Sequence, residues 1–434
     1  MLIKDLNKTL DKLNTLKFEQ NELQAILRPM QADIVSRKLI NCLNWLKTFS
    51  SGLQALVWLY RFLLLLLSWL LSASVPVLAS EQESNQTVPL IFVPGLKGSQ
   101  LRDATGESVW LTAAQALNLN TPSLALPLLW INGVQTKDAI QTEGILAQVT
   151  VIPFLLEQSL YGPWLNAASE MKRPFYAFAY DWRRDNLETL EQLESFIKEV
   201  RNRHQANKVQ IVAHSMGGLL TLAAMNRHPE MLHSVIFAGV PFSGGIGFLP
   251  DLHTGTDTGL NSKILSPEVL FTFPSLYSLF PLDGSGLEDN HGKALPLDFY
   301  KLEDWKAYRL GLFSLDRPPE LAQETFLDQA LQSARQFRTL LQPKALEYPP
   351  ILVVAGDSLP TLAKGILNGP ESIRGVDFDS AAKQPGDGRV CFNHALPPKG
   401  IAYELIVSKQ EHSQLLNDPD LIAIIENWLI SDHD

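Results

Sequence analysis

The 434-residue chain is predicted to be an α/β protein, with a mostly parallel sheet covered by helices on both faces. Three observations carry this expectation. Short β-rich apolar runs recur along the chain and alternate with helical stretches. One of them, Val209–Ala213, runs straight into His214-Ser215-Met216-Gly217-Gly218 and then into a helical LLTLAAM. No repeat or low-complexity linker interrupts the chain after residue 85.

In order, Val88–Val93 is the first expected strand, ended by Pro94-Gly95-Leu96-Lys97-Gly98. Residues 101–165 lack a clear period and carry Trp110, Trp130 and Trp164, with an apolar stretch over Leu124–Ile131. A strand over Pro174–Tyr180 leads into Asp181-Trp182-Arg183-Arg184. Leu190, Leu193, Ile197 and Val200 then form one face of a helix. Further strands are expected at Ser234–Ala238, Ile351–Ala355 and Tyr403–Val407, while residues 246–266 predict no regular element.

A net charge of −10 gives no electrostatic reason to expect a nucleic-acid partner. Residues 1–52 form a leader in which Leu6, Leu10 and Leu13 share a helical face. Residues 53–80 form an apolar block with Arg61 as its one charge, long enough for a signal peptide or a transmembrane anchor. Arg28, Arg37, Lys38 and Lys47 precede it, so the chain from residue 80 onward is expected outside the cytosol. The two cysteines, Cys42 and Cys391, fall on opposite sides of this block, which excludes a disulfide within the later domain.

Ser215 lies where a strand turns tightly into a helix. Such a turn holds a hydroxyl out at the sheet edge, close to a helix N-terminus that favours negative charge. A serine nucleophile needs a base, and the base needs a carboxylate to hold its tautomer. In folds built on this elbow the chain order is serine, acid, histidine. His214 adjoins the serine and should point away from it, which suits packing or hydrogen bonding. His204, His228, His233, His253 and His291 come too early, and His433 sits at the terminus. His412, in the polar loop after the last strand, is preferred over His394 as the base. Asp357 and Asp387 both follow β-like segments and stand as equal candidates for the acid. An oxyanion hole needs two backbone donors: one is expected at Met216, the other from Pro94–Gly98.

The motifs VPLIFVPGLKGSQL, FAYDWRRD, VAHSMGG, GVPFSGG, FTFPSL and PGDGRV resemble, in order and approximate spacing, those of the lecithin:cholesterol acyltransferase family. The resemblance covers roughly residues 88–425. It implies an α/β-hydrolase fold over 86–434, a lipid-facing insertion at 101–165 and a lid at 246–266. It implies Ser215, Asp387 and His412 as triad and Leu96 and Met216 as oxyanion donors, and gives Asp181 an architectural role. The implied activity is transfer of a fatty acyl group from a phospholipid-type ester, through an acyl-serine, to a lipid alcohol or water. Membrane phospholipids and lipid alcohols are the implied partners, with no metal and no cofactor. Another carboxylesterase or thioesterase of the same fold is the alternative. The paired cysteines of the animal members are missing, which bears on the shape of 101–165.

Overall fold

The computed structural model describes residues 88–152 and 156–431; the expected leader and apolar block lie outside them. Among the described residues no helix is long and apolar enough to cross a membrane. Six strands make the central sheet: β1 (Leu90–Val93), β2 (Phe175–Ala177), β3 (Val209–His214), β4 (Leu232–Ala238), β5 (Ile351–Gly356) and β6 (Glu404–Ser408). Their spatial order is β6-β5-β4-β3-β1-β2. All neighbouring pairs are parallel.

These runs are apolar on both faces because helices cover both faces. Ile91 and Val93 of β1 enter one core with Ile211, Phe237 and Val353. Leu90 and Phe92 point the other way, with Val212, Ile236 and Val354. The first core is covered by α2 (Asn186–His204), α3 (Met216–Arg227) and α5 (Leu321–Thr339), the second by α1 (Gly162–Glu170) and α6 (Pro419–Ile430). Asp185 caps α2, accepting from the amides of Leu187 at 2.8 Å and Glu188 at 3.4 Å. Leu190, Leu193, Ile197 and Val200 are its buried stripe, as the period requires.

Two expectations need correction. The strand expected over Pro174–Tyr180 is confined to Phe175–Ala177. Residues 246–266 contain a helix, α4 (Leu249–Thr254), whose Leu249 and Leu252 are buried. Trp130 is a core residue: it is 9% exposed and packs against Phe326. Its neighbours do the reverse. Trp130–Ile131 and Val134–Gln135 pair as a hairpin, and Leu129, Ile131 and Val134 are more than half exposed around its turn.

Among the described residues, the rest of 101–165 consists largely of short antiparallel strands. It is fastened to the sheet by Arg183, whose guanidinium is fully buried. That group donates to both oxygens of Asp181 (2.9 and 2.7 Å), to Asp138 (2.9 Å) and to the Leu124 carbonyl (2.9 Å). The forked guanidinium suits this role, since it satisfies several acceptors at fixed angles. Asp181 is thus an ion-pair partner of Arg183 and takes no part in the hydrogen bonds of Ser215.

Candidate active site

At the end of β3 the chain turns through Ser215, with φ 51° and ψ −127°. A non-glycine residue holds this region only where its surroundings impose it, at a cost of about 1–3 kcal/mol. Here the Ser215 amide donates to the Ala238 carbonyl (2.9 Å) and the Ser215 carbonyl accepts from Gly218 N–H (2.9 Å). The glycines allow the close approach: a Cβ on Gly217 would lie 2.6 Å from the Val93 carbonyl oxygen, and one on Gly95 would lie 2.8 Å from Ser215 Cβ.

Ser215 Oγ is 2.9 Å from His412 Nε2, and His412 Nδ1 is 2.8 Å from Asp387 Oδ2. Asp387 Oδ1 accepts from the amides of Arg389 (2.9 Å) and Val390 (2.7 Å). Burial by itself would raise the Asp387 pKa, but the His412 ring beside it and the two backbone donors hold it below the usual carboxylate value. An ionised, buried carboxylate on Nδ1 keeps Nε2 free to take a proton from Ser215.

Asp357, the other acid candidate, is exposed and accepts from Ser358 Oγ instead. After β5 the chain makes an antiparallel excursion, Leu359–Leu362 against Lys383–Gly386. This returns Asp387 to the end of β5, where a Cβ on Gly356 would lie 2.7 Å from Asp387 Cβ. His394 lies apart from this chain, beside Gly245.

A cavity of about 500 Å³ borders Ser215, His412 and Asp387, walled mainly by Leu96, Trp110, Leu111, Leu146, Leu160 and Phe248. Thr258 and Gly259 complete one wall. That part of 246–266 is tied to the short helix Ala113–Ala116, since Leu260 N–H donates to the Ala116 carbonyl (2.7 Å) and Asn261 Nδ2 to the Gln115 carbonyl (2.8 Å). Leu96 lines the cavity, and Met216 opens α3, whose first amides have no intrahelical acceptor. Lys97, half-buried in the same wall, has its pKa lowered to about 8 by burial, with Asp251 opposing that shift. Tyr161 also lines the cavity and was not singled out from sequence, because only the fold brings it beside His214.

The sheet and the site together define a serine hydrolase-like enzyme of the α/β-hydrolase class. Within that class the chain is similar to the lecithin:cholesterol acyltransferase family, as its motifs led one to expect. The lecithin:cholesterol acyltransferase family model matches residues 165–295, which hold Ser215 but end before Asp387 and His412. Over 398 aligned residues the chain is 23% identical to the uncharacterized protein YJR098C of Saccharomyces cerevisiae, covering 76% of this chain and 59% of that one. It is 22% identical over 229 residues to lecithin-cholesterol acyltransferase-like 4 of Arabidopsis thaliana, covering 44% and 42%. The chain thus spans three fifths or less of these relatives. The crystal structure of the Tle4–Tli4 complex is similar in fold, with TM-score 0.50 and 13% identity, over 80% of this chain and 99% of that chain.

Proposed function

We propose that this protein moves a fatty acyl group from a phospholipid-type ester to a lipid alcohol or water, through an acyl-Ser215 intermediate. The observation that carries the reading is the unbroken Ser215–His412–Asp387 chain opening on a largely apolar cavity of acyl-chain dimensions. His412 Nε2 takes the Ser215 proton as Oγ attacks the ester carbonyl. The amides of Leu96 and Met216 receive the developing oxyanion. His412 then gives its proton to the departing alcohol, leaving the acyl-enzyme. A second hydroxyl, deprotonated by His412, attacks the acyl carbon and regenerates Ser215.

Whether water or alcohol accepts the acyl group depends on which hydroxyl is held at the carbonyl, because the base activates either in the same way. An apolar wall and a segment 246–266 that closes over it favour a lipid alcohol by excluding water. In this reading the exposed hairpin with Leu129, Ile131 and Val134 meets the lipid surface, and the domain works on the extracytoplasmic side of a membrane.

The test is direct. Purified full-length protein on phospholipid vesicles should release fatty acid, and an added lipid alcohol should divert acyl groups into a new ester. Free fatty acid as sole product across several lipid alcohols would remove the transferase half of the reading. No labelling of Ser215 by a fluorophosphonate would remove the acyl-serine.

A further inference from the structure

Beside Ser215 stands a histidine that the reaction above leaves idle. His214 ends β3, is 5% exposed, and its ring centroid lies 4.7 Å from that of His412. Tyr161, the residue that opens α1, meets it edge-on with centroids 5.5 Å apart. Three hydrogen bonds run through this pair without a break. The Gly95 amide donates to Tyr161 Oη (3.0 Å), Tyr161 Oη is 2.9 Å from His214 Nδ1, and His214 Nε2 is 3.0 Å from the His412 carbonyl oxygen.

The direction of each bond is forced. A carbonyl only accepts, so His214 Nε2 must carry a proton. In a neutral imidazole Nδ1 is then bare and accepts, so the Tyr161 hydroxyl donates to it. That hydroxyl's oxygen meanwhile takes the Gly95 N–H. Burial, with the His412 ring adding to it, holds His214 neutral by drawing its pKa down to about 3, and burial pushes Tyr161 up. Neither residue has a proton to exchange near neutral pH.

The two ends of this line are what matter. One end pins Gly95, the residue before Leu96, in a loop docked so closely that a Cβ on Gly95 would lie 3.1 Å from His214 Nδ1. The other end pins the main chain of the residue whose ring faces Ser215. We propose that Tyr161 and His214 are positioning residues, a fixed-tautomer tie that sets the spacing between the oxyanion loop and the His412 loop on either side of Ser215. This rests on the acyl-Ser215 reading. Cutting the tie leaves every reacting group present but displaced, and a displacement of about 1 Å is enough to cost roughly 100-fold in rate.

Full-length wild type, Tyr161→Phe, His214→Gln and His214→Ala are compared on a soluble short-chain ester and in their rate of fluorophosphonate labelling. Tyr161→Phe should lower kcat by roughly 10- to 100-fold with KM changed less than about twofold. Labelling should slow in step, because the phosphonyl oxygen occupies the same donors. Gln at 214 keeps an acceptor for Tyr161 and a donor for the His412 carbonyl, so His214→Gln should retain most of the activity that His214→Ala loses. In ring-nitrogen spectra of the wild type, His214 should remain the neutral Nε2–H tautomer from about pH 5 to 9. An Nδ1–H tautomer, or a His214 that titrates in that range, overturns the proposal even if the variants fold poorly. So does a Tyr161→Phe enzyme with unchanged kcat or with a loss confined to KM. Wild type that does not label at all sinks the acyl-Ser215 reading; wild type and Tyr161→Phe labelling equally fast sinks only the tie.

Discussion

Asp387 holds His412 twice. Its Oδ2 lies 2.8 Å from Nδ1 of the ring, and its main-chain oxygen accepts the His412 amide at 2.9 Å. Side chain and backbone of one residue thus fix both the ring and the strand of loop that carries it, so the imidazole presents Nε2 to Ser215 without depending on rotamer preference.

From this double hold we expect Asp387→Asn to be severe, because an amide cannot both accept from Nδ1–H and balance an imidazolium. Asp357→Asn, at an exposed position, should stay mild; the reverse ranking in kcat would reassign the acid. Ser215→Ala and His412→Ala should each lower turnover by roughly 10³- to 10⁶-fold, and the double variant should be little worse than either, since such residues act as one unit.

The pH dependence of stability follows from two groups. Asp387 is held below its ordinary pKa, so its contribution is present above the unfolded value and lost only as pH falls through the lower folded one. His214 stays neutral in the fold down to about pH 3, whereas in the unfolded chain it binds a proton below its ordinary value of 6.5. Across that window the unfolded state holds more protons, so the fold weakens as pH drops. Urea unfolding of wild type and His214→Gln should show wild type losing roughly 3 kcal/mol relative to the variant between about pH 7 and 4.5. A constant difference would remove this assignment.

Gly217→Ala should destabilise by about 1–3 kcal/mol, since its Cβ would press on the rigid Val93 carbonyl. Gly144, where a Cβ meets nothing within 4 Å, serves as the control and should be near neutral when changed to Ala. Equal midpoints for the two variants in denaturant would contradict the packing described for the elbow.

Trp130→Ala should cost about 3–5 kcal/mol in stability and reduce activity on vesicles and on a soluble ester alike, because the ring is inside. Ile131→Asp and Val134→Asp, at the exposed hairpin, should weaken vesicle activity while sparing the soluble ester. The opposite pattern would assign the membrane contact to the tryptophan instead.

The strands buried on both faces were legible because a continuous β-branched run needs no partner to be recognised: β1, β3, β4 and β5 all fall within two residues of their expected bounds. The elbow at Ser215 was legible for a related reason, since serine, glycines and helix are local to one another. Choosing between Asp357 and Asp387 was not possible on the same footing. It depends on the pairing of Leu359–Leu362 with Lys383–Gly386, which joins two short segments across twenty intervening residues and leaves no periodic trace. Residues 101–165 were illegible because their strands are two to five residues long, too short for alternation to stand out. Tyr161 had no local signal at all.

The clasp at Arg183 has a consequence for where such an enzyme can work. The insertion over residues 101–165 is fastened by a guanidinium between two carboxylates, and Cys391, the free thiol among the described residues, is buried with its pKa pushed up to about 11 by that burial. Nothing in this fastening changes with the surrounding thiol–disulfide balance. A reductant that would open a cystine-stapled relative should leave the melting temperature and turnover of this domain unchanged, so this fastening serves equally in reducing and oxidising surroundings.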